Sequence, residues 1–426
     1  MGDVTSEGVK GARDQRVITG ILDEVNWPPE WQSVPLGRLA DRRKDIGQAT
    51  LPPLSVFLDE GVVPRASRED NYNRLGADLS QYLAVEPGDL VFNKLRTWQG
   101  GIGVSEYFGI VSPAYFVCRP RQDLFPRFGH YALRSSPYLQ ELTRVSKWMP
   151  PAQFDIAWED LRDVVVRVPP REAQRAIADY LDAETARIDA LHQRRISMMA
   201  LLGEWEQANL LRLLGDWRTA RTATLRQLGT ILVTGPFGTQ LAASEYSDGG
   251  VPVINPTHIS DGRLAPDPRV AVPPDVARRL ARHTLGVGDI VMGRKGDVGR
   301  AAVVGPAEAG WICGSDSIAI RTDPQRLLPE FLALALSVAY YRQQLEAQST
   351  GATLANVNES ILMGFRVPTM TVARQREAVD SGTERQAARP RMAGLLRDQA
   401  DLLLERRQAL ITAAVTGQLE ISGVAA

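Results

Sequence analysis

The chain has 426 residues, room for two or three domains, and its 44% hydrophobic and 23% charged residues match an ordinary globular protein, not a disordered or fibrous one. A formal net charge of −1 gives no global sign of a nucleic-acid binder, and no apolar run approaches the length of a membrane span. Cys118 and Cys313, the only cysteines, lie in the apolar strand-like contexts YFVC and WIC and read as separate buried thiols of a cytoplasmic protein.

Residues 1–26 are polar and contain glycine, with no apolar signal-peptide core, which predicts a loose N-terminal tail and a cytoplasmic location. Over 27–169, short β-rich runs (SVFL, DLVF, AYFVC) alternate with Gly, Pro and Asp turns, and one helix is predicted over 126–142. Gly88-Asp89 reads as a turn feeding a buried strand. The β-branched run VVVRV then meets Pro169-Pro170 and passes at once into a helical pattern over 170–217, with no proline from Arg171 on. Every third and fourth position there gives Ile177, Leu181, Glu184, Ile188, Leu191, Arg195, Met198, Leu202 and Trp205, a coiled-coil seam with two polar interruptions. A helix of about 60 Å cannot bury such a stripe alone and needs a partner.

From 218 to 369 the pattern returns: VPVI, DIVM and SIAI as strands, Gly288-Asp289 as a turn, a helix over 329–347, and Arg366-Val367-Pro368 before a second long helix over 370–420. Gly382 weakens the seam of this helix. Pro390, at the place of Asp189, predicts a kink or break near 389–390, with Met392, Leu396, Leu403, Leu410 and Ala414 continuing the seam beyond it. Residues 421–426 are a C-terminal tail.

These parallels are a tandem duplication. PGDLVFNKLR at 87–96 matches VGDIVMGRKG at 287–296 at an offset of 200, and Phe128, Leu133 and Tyr138 meet Phe331, Leu336 and Tyr341 at 203. Gln174-Arg175 meets Gln375-Arg376, and Leu201-Leu202 meets Leu402-Leu403, at 201. The fold class is therefore α+β: two duplicated mixed α/β globular domains, 27–169 and 218–369, separated by two long helices that pair as an antiparallel coiled coil.

Catalytic motifs are missing. Asn255-Pro256 is followed by Thr257-His258, not by the proline and aromatic of a methyltransferase site. No Walker loop occurs, and Gly101-Ile102-Gly103 lacks the third glycine of a dinucleotide fingerprint. His130, His192, His258 and His283 are scattered without metal-ligand spacing and read as structural or surface residues.

Several stretches together resemble the DNA-specificity subunits of type I restriction-modification systems. VPPREAQRAIADYLDAETARIDAL and LLLERRQALITAAVTGQL look like their two spacer helices. TGPFGTQLAASEYSDGGVPVINPTHI, GDIVMGRKGDVGRAAVV and STGATLANVNESILMGFRVP look like a target-recognition domain, and GDLVFNKLRTWQGGIGV and VSPAYFV match it in the first half. The resemblance runs from Trp27 to Leu419; it departs where PTMTVARQ replaces a second Pro-Pro junction, and at Pro390. It implies a non-catalytic reader of a split, asymmetric double-stranded DNA target, with paired helices holding the halves a fixed distance apart. It also implies two methyltransferase subunits that bring S-adenosylmethionine, with restriction subunits as a further partner, no cofactor or metal on this chain, and no membrane. A coiled-coil scaffold that bridges partners without reading DNA is the alternative.

The charge balance complicates that reading. Residues 27–168 hold 17 Lys and Arg against 17 Asp and Glu, and residues 222–368 hold 13 against 13, whereas phosphate neutralisation favours a positive domain. Basic residues gathered on one face, and help from the methyltransferase partners in clamping the duplex, would together reconcile the two. The candidate DNA-binding residues are Lys94, Arg96 and Lys147 in the first half, and Arg294, Lys295 and Arg300 at the repeat-equivalent place. Thr353, Asn356 and Asn358 lie in a Gly-containing loop. Arg and Lys suit guanine edges and Asn suits adenine; a solvated loop role for any one of them stays open.

Overall fold

The structure, a computed structural model, describes residues 21–47, 49–68, 78–149, 153–295, 298–347 and 357–422. The described residues form two compact units, one running up to Arg194 and resuming at Gln399, the other spanning Arg195–Asp398. Each unit thus owns one half of each long helix.

In the first unit, strands β1 (Ala40–Arg43), β2 (Leu90–Asn93), β3 (Ile102–Val104) and β4 (Tyr115–Pro120) form an antiparallel sheet in the order β1-β4-β2-β3. Strand β2 is apolar without alternation because both of its faces are covered. Leu90 and Phe92 join the main core with Phe128, Tyr138 and Leu142, while Val91 points the other way into a smaller core with Leu54, Val56 and Val117. Strands Gln32–Pro35 and Val165–Val168 pair antiparallel beside this sheet and deliver the chain into helix α1 (Arg171–Leu214).

The second unit repeats the plan. Strands β5 (Ile231–Thr234), β6 (Ile290–Gly293), β7 (Ala301–Val303) and β8 (Ser317–Arg321) take the order β5-β8-β6-β7. Ile290 and Met292 face one core and Val291 faces another. Thr222–Thr224 pairs with Arg366–Pro368 before helix α2 (Val372–Val415). Both Gly-Asp turns form as the sequence predicts. Gly88 and Gly288 adopt φ of +91° and +83°, and Asp89 and Asp289 each accept the backbone N–H three residues back at 2.9 Å and an arginine Nε (Arg119, Arg321) at 3.1 Å.

The two glutamines of the Pro-to-helix junctions are clamps. Gln174, 1% exposed, accepts from Phe125 N at 2.8 Å and donates to the carbonyls of Asp123 and Pro169, both at 2.9 Å. Gln375, 2% exposed, accepts from Leu328 N at 2.9 Å and donates to Arg326 O and Met370 O at 2.9 and 3.2 Å. One side chain therefore ties the helix start to the loop before the buried helix pair of its own unit.

Three expectations need correction. The helices predicted over 126–142 and 329–347 are each two helices, Pro126–Leu133 with Ser136–Val145, and Pro329–Ser337 with Ala339–Glu346. Pro137 opens the second helix of the first pair, where its missing N–H costs nothing, and Val338 is extended between the second pair. Of the kink or break expected near 389–390, the break is absent, for α2 runs through Pro390 without interruption. The proline removes one helical hydrogen bond, and the turns around it are held by tertiary contacts. Gln386 Nε2 donates to Ser337 Oγ at 3.1 Å, and Arg389 Nε lies 3.1 Å from Glu206 Oε2. Gly382 has a packing role there, because a Cβ would sit 2.8 Å from Leu334 Cδ2.

The third correction concerns the seam. Ile177, Leu181 and Ile188 are buried, but Met198, Trp205 and Met392 are 47%, 57% and 52% exposed, while Glu206 and Leu210 turn inward. A straight α-helix drifts by about 20° per heptad against a 3.5-residue stripe. Four heptads past Ile177 the stripe has left the inner face. Within the first unit α1 and α2 run antiparallel: Asp189 Oδ1 meets Arg407 Nε at 3.0 Å, and Ile177 and Leu181 share a core with Ile411, Ala414 and Val415. Within the second, Glu206 meets Arg389 while Leu210 and Leu214 share a core with Ala378, again antiparallel. Both cysteines are buried free thiols, and burial pushes both up, that of Cys313 to about 12.

Candidate nucleic-acid interface

In each unit the candidate cations follow the central strand. After β2 the chain turns tightly: Asn93 Oδ1 accepts Leu95 N at 3.1 Å and Thr97 Oγ1, fully buried, donates to Asn93 O at 2.6 Å. Gly101 N closes the loop on Arg96 O at 2.8 Å, and a Cβ on Gly101 would meet that same oxygen at 2.8 Å, so the loop requires glycine. This loop presents Arg96 to solvent.

Lys94 is held more closely. Its Nζ donates to Pro113 O at 2.7 Å and lies 4.7 Å from the Phe116 ring centre. Burial, then the Arg42 guanidinium, pushes its pKa down, against Asp155. Arg42 itself stacks over Phe116 and Trp158 at 4.7 and 5.4 Å. Lys147 is exposed on the hairpin of Lys147–Met149 and Gln153–Asp155, where it stands opposite Asp155. Lys94 and this hairpin meet through Ile156 N, which donates to Lys94 O at 3.3 Å. Among the described residues, Arg42, Lys94, Arg96 and Lys147 make no ion pair within 4.0 Å.

The second unit has the same backbone tie, Val357 N to Arg294 O at 2.9 Å. Arg294 N donates to Asp316 O at 3.0 Å and its guanidinium lies 5.0 Å from the Phe237 ring. Lys295, exposed, pairs with Asp316 Oδ1 at 2.7 Å. Arg300, also exposed, accepts Gly293 N at its carbonyl at 2.9 Å. Arg294, Lys295 and Arg300 are thus gathered at the β6–β7 connection.

Asn358 is the N-cap of helix Glu359–Met363, its Oδ1 accepting Ile361 N at 2.9 Å, so the amide oxygen already has a structural partner. Thr353 and Asn356 lie outside the described residues. Sequence reasoning passed over Arg42, Phe116 and Phe237, the groups that orient these cations, because an aromatic in a strand or a loop carries no sign of what stacks on it. It also passed over Trp148, although SKWM sets a Trp directly beside a Lys.

The even charge count has a local explanation. Many arginines are taken up in ion pairs that hold the fold, as in Arg121 with Asp41, Arg127 with Asp179, Arg144 with Glu141, and Arg279 with Glu245, all at 2.5 Å. Lys94 and its neighbours Arg42, Arg96 and Lys147 are among the described cations outside such pairs. Among the described residues no cluster of His, Cys, Asp and Glu could hold a metal ion, and no helix is long and apolar enough to cross a membrane.

No family model matches the chain and no curated protein matches it. Solved structures do. A chain from a structure of a type I R-M system, concerned with its complex assembly and conformational transition, superposes with a TM-score of 0.70 at 18% identity, covering 92% of this chain and all of the other. The HsdS subunit from Thermoanaerobacter tengcongensis superposes with a TM-score of 0.57 at 18% identity, covering 94% of this chain and all of its own. The chain shares their fold along most of its length: two α+β domains with long coiled-coil helices.

Proposed function

We propose that this chain is the DNA-specificity subunit of a type I restriction-modification system and performs no catalysis itself. One observation carries the reading. Two units with the same strand order each place cations on the loop after the central strand, and each ties that loop to the segment before the last strand by the same backbone bond. A reader of a split, asymmetric DNA target needs such a pair: one scaffold, two differently equipped surfaces. Domains 27–169 and 218–369 are the two target-recognition domains, and 170–217 and 370–420 are the spacer helices.

The chemistry on each surface is phosphate and base-edge binding. Arg96, Lys147 and Arg300 are exposed cations suited to backbone phosphates. Lys94 and Arg294, restrained against rings, have the defined placement that reading a guanine edge requires. The long helices would carry the partners. Met198, Leu201, Trp205, Met392 and Leu395 in the second unit are 47–60% exposed, and Leu402 in the first is 61% exposed. Apolar side chains left uncovered on a helix mark an interaction surface, here for two methyltransferase subunits that bring S-adenosylmethionine, with restriction and translocase subunits as further partners in the cytoplasm.

Co-expression with the methyltransferase, followed by size-exclusion chromatography and genome-wide methylation mapping, tests the proposal. A complex of one such chain with two methyltransferase subunits, methylating one bipartite sequence, is the expected result. Methyl transfer by the isolated chain would refute the non-catalytic assignment. A stable complex that binds no DNA would favour the scaffold alternative.

A further inference from the structure

The hairpin of Lys147–Met149 and Gln153–Asp155 carries more than a cation. Trp148 stands opposite Phe154, their rings edge to face at 4.9 Å, and Phe154 packs on Trp98 at 5.1 Å. Trp98 is anchored by its indole N–H to Leu95 O at 3.2 Å. Three rings thus run from a half-buried anchor to the surface, where Trp148 is 49% and Met149 42% exposed. An indole held in one orientation with half its surface in water is costly to keep unless something covers it.

The fold does not need these rings. The second unit keeps the flanking backbone bond, yet the stretch before Val357 reads STGATLAN, with no aromatic, and Val298 stands where Trp98 does. What surrounds the rings indicates the occupant. Lys147 adjoins Trp148, Arg96 lies two residues before Trp98, and Lys94 borders the hairpin; Asp155 is the acid among them. Cores of protein–protein interfaces are depleted of lysine, whereas an aromatic set among unpaired cations complements stacked bases flanked by phosphates.

We propose that this hairpin is an aromatic wedge for duplex DNA. Trp148 enters at a base step in or beside the part of the target read by the first unit and partly unstacks it, while Lys147 and Arg96 hold the flanking phosphates. Apolar side chains that insert between base steps act in this way, and stacking on a ring tolerates any base. The inference rests on the DNA-reading function proposed above and adds a deformation confined to one half of the target.

The test uses the complex with its methyltransferase and a duplex carrying the mapped target, with 2-aminopurine placed in turn at each position of the first half and its two flanking pairs. Apart from any base that the methyltransferase subunits flip in either half, a signal that Trp148→Ala leaves unchanged, wild-type complex should raise 2-aminopurine fluorescence at one further step of the first half and at no further step of the second. Trp148→Ala should abolish that rise and weaken binding about tenfold, Trp148→Phe should restore part of both, and association with the methyltransferase should stay unchanged. An undiminished signal at that further step in Trp148→Ala would overturn the wedge. So would loss of methyltransferase association without DNA, which would make Trp148 a protein contact. Failure of the wild-type complex to bind DNA would instead overturn the reading beneath it.

Discussion

Replacing Gln174 by Ala should destabilise the first unit by about 2–4 kcal/mol. The side chain is 1% exposed and makes three hydrogen bonds, to Phe125 N, Asp123 O and Pro169 O. Each buried polar group left without a partner costs roughly 1–3 kcal/mol. Asp123 is exposed, so water can take over its carbonyl; Pro169 is buried and Phe125 half-buried, so Pro169 O loses its partner in full and Phe125 N in part, and these two set the magnitude. Gln174→Glu isolates the donors: it keeps an acceptor for Phe125 N, loses both N–H donors and buries a charge, so it should be no milder than Ala. The duplication supplies an internal repeat, since Gln375→Ala removes the bonds to Leu328 N, Arg326 O and Met370 O in the second unit and should cost a similar amount. Urea denaturation of each variant, followed by fluorescence, measures the loss. A change below about 0.5 kcal/mol, the size of an ordinary surface substitution, would refute the clamp.

Other outcomes follow from the same structure. His130 packs edge-on against Tyr131, and burial, then the Arg134 and Arg407 guanidiniums, pushes its pKa down to about 3. Below about 6.5 the unfolded chain takes up a proton that the folded one refuses, so stability should fall with decreasing pH between about 6.5 and 3, by about 1 kcal/mol per unit. In His130→Phe that dependence should flatten, as followed by denaturation at pH 7 and pH 5. Pro390→Ala returns a hydrogen bond to an uninterrupted helix and should stabilise by about 1–2 kcal/mol after the greater freedom of the unfolded chain is subtracted; a rise in melting temperature without change in methylation pattern checks it. Arg294→Ala with Lys295→Ala should weaken DNA binding through the second half of the target only, each lost base contact costing about 1–3 kcal/mol. An equal loss on a duplex with a scrambled second half would show that these residues hold phosphates and do not read bases.

The duplication, the fold class and the junctions were legible in the sequence because they depend on local order. A Gly-Asp turn, a run apolar on both faces and a Pro-to-helix transition mean the same thing wherever they stand. Gln174 and Gln375 could be matched as a repeat pair from the letters alone, but their shared duty could not, since two of the three groups each binds lie about fifty residues back in the chain. The seam failed in the same way. Positions near Ile177 were correct, whereas Trp205 and Met392 were placed inward and lie outward, because a small angular drift accumulates over four heptads and only the partner helix decides which face is covered. Pro390 signalled a break from its covalent geometry, yet contacts by Gln386 and Arg389 hold the turns on either side of it. The cations were found by repeat position, but whether each is held or loose depends on neighbours distant in sequence: Phe116 beneath Lys94, Phe237 beneath Arg294, and, among the described residues, no carboxylate paired with Arg96. Sequence determines which side chains are available along each element; which are covered, paired or left facing solvent is decided only when distant segments pack, because burial and charge pairing act through space.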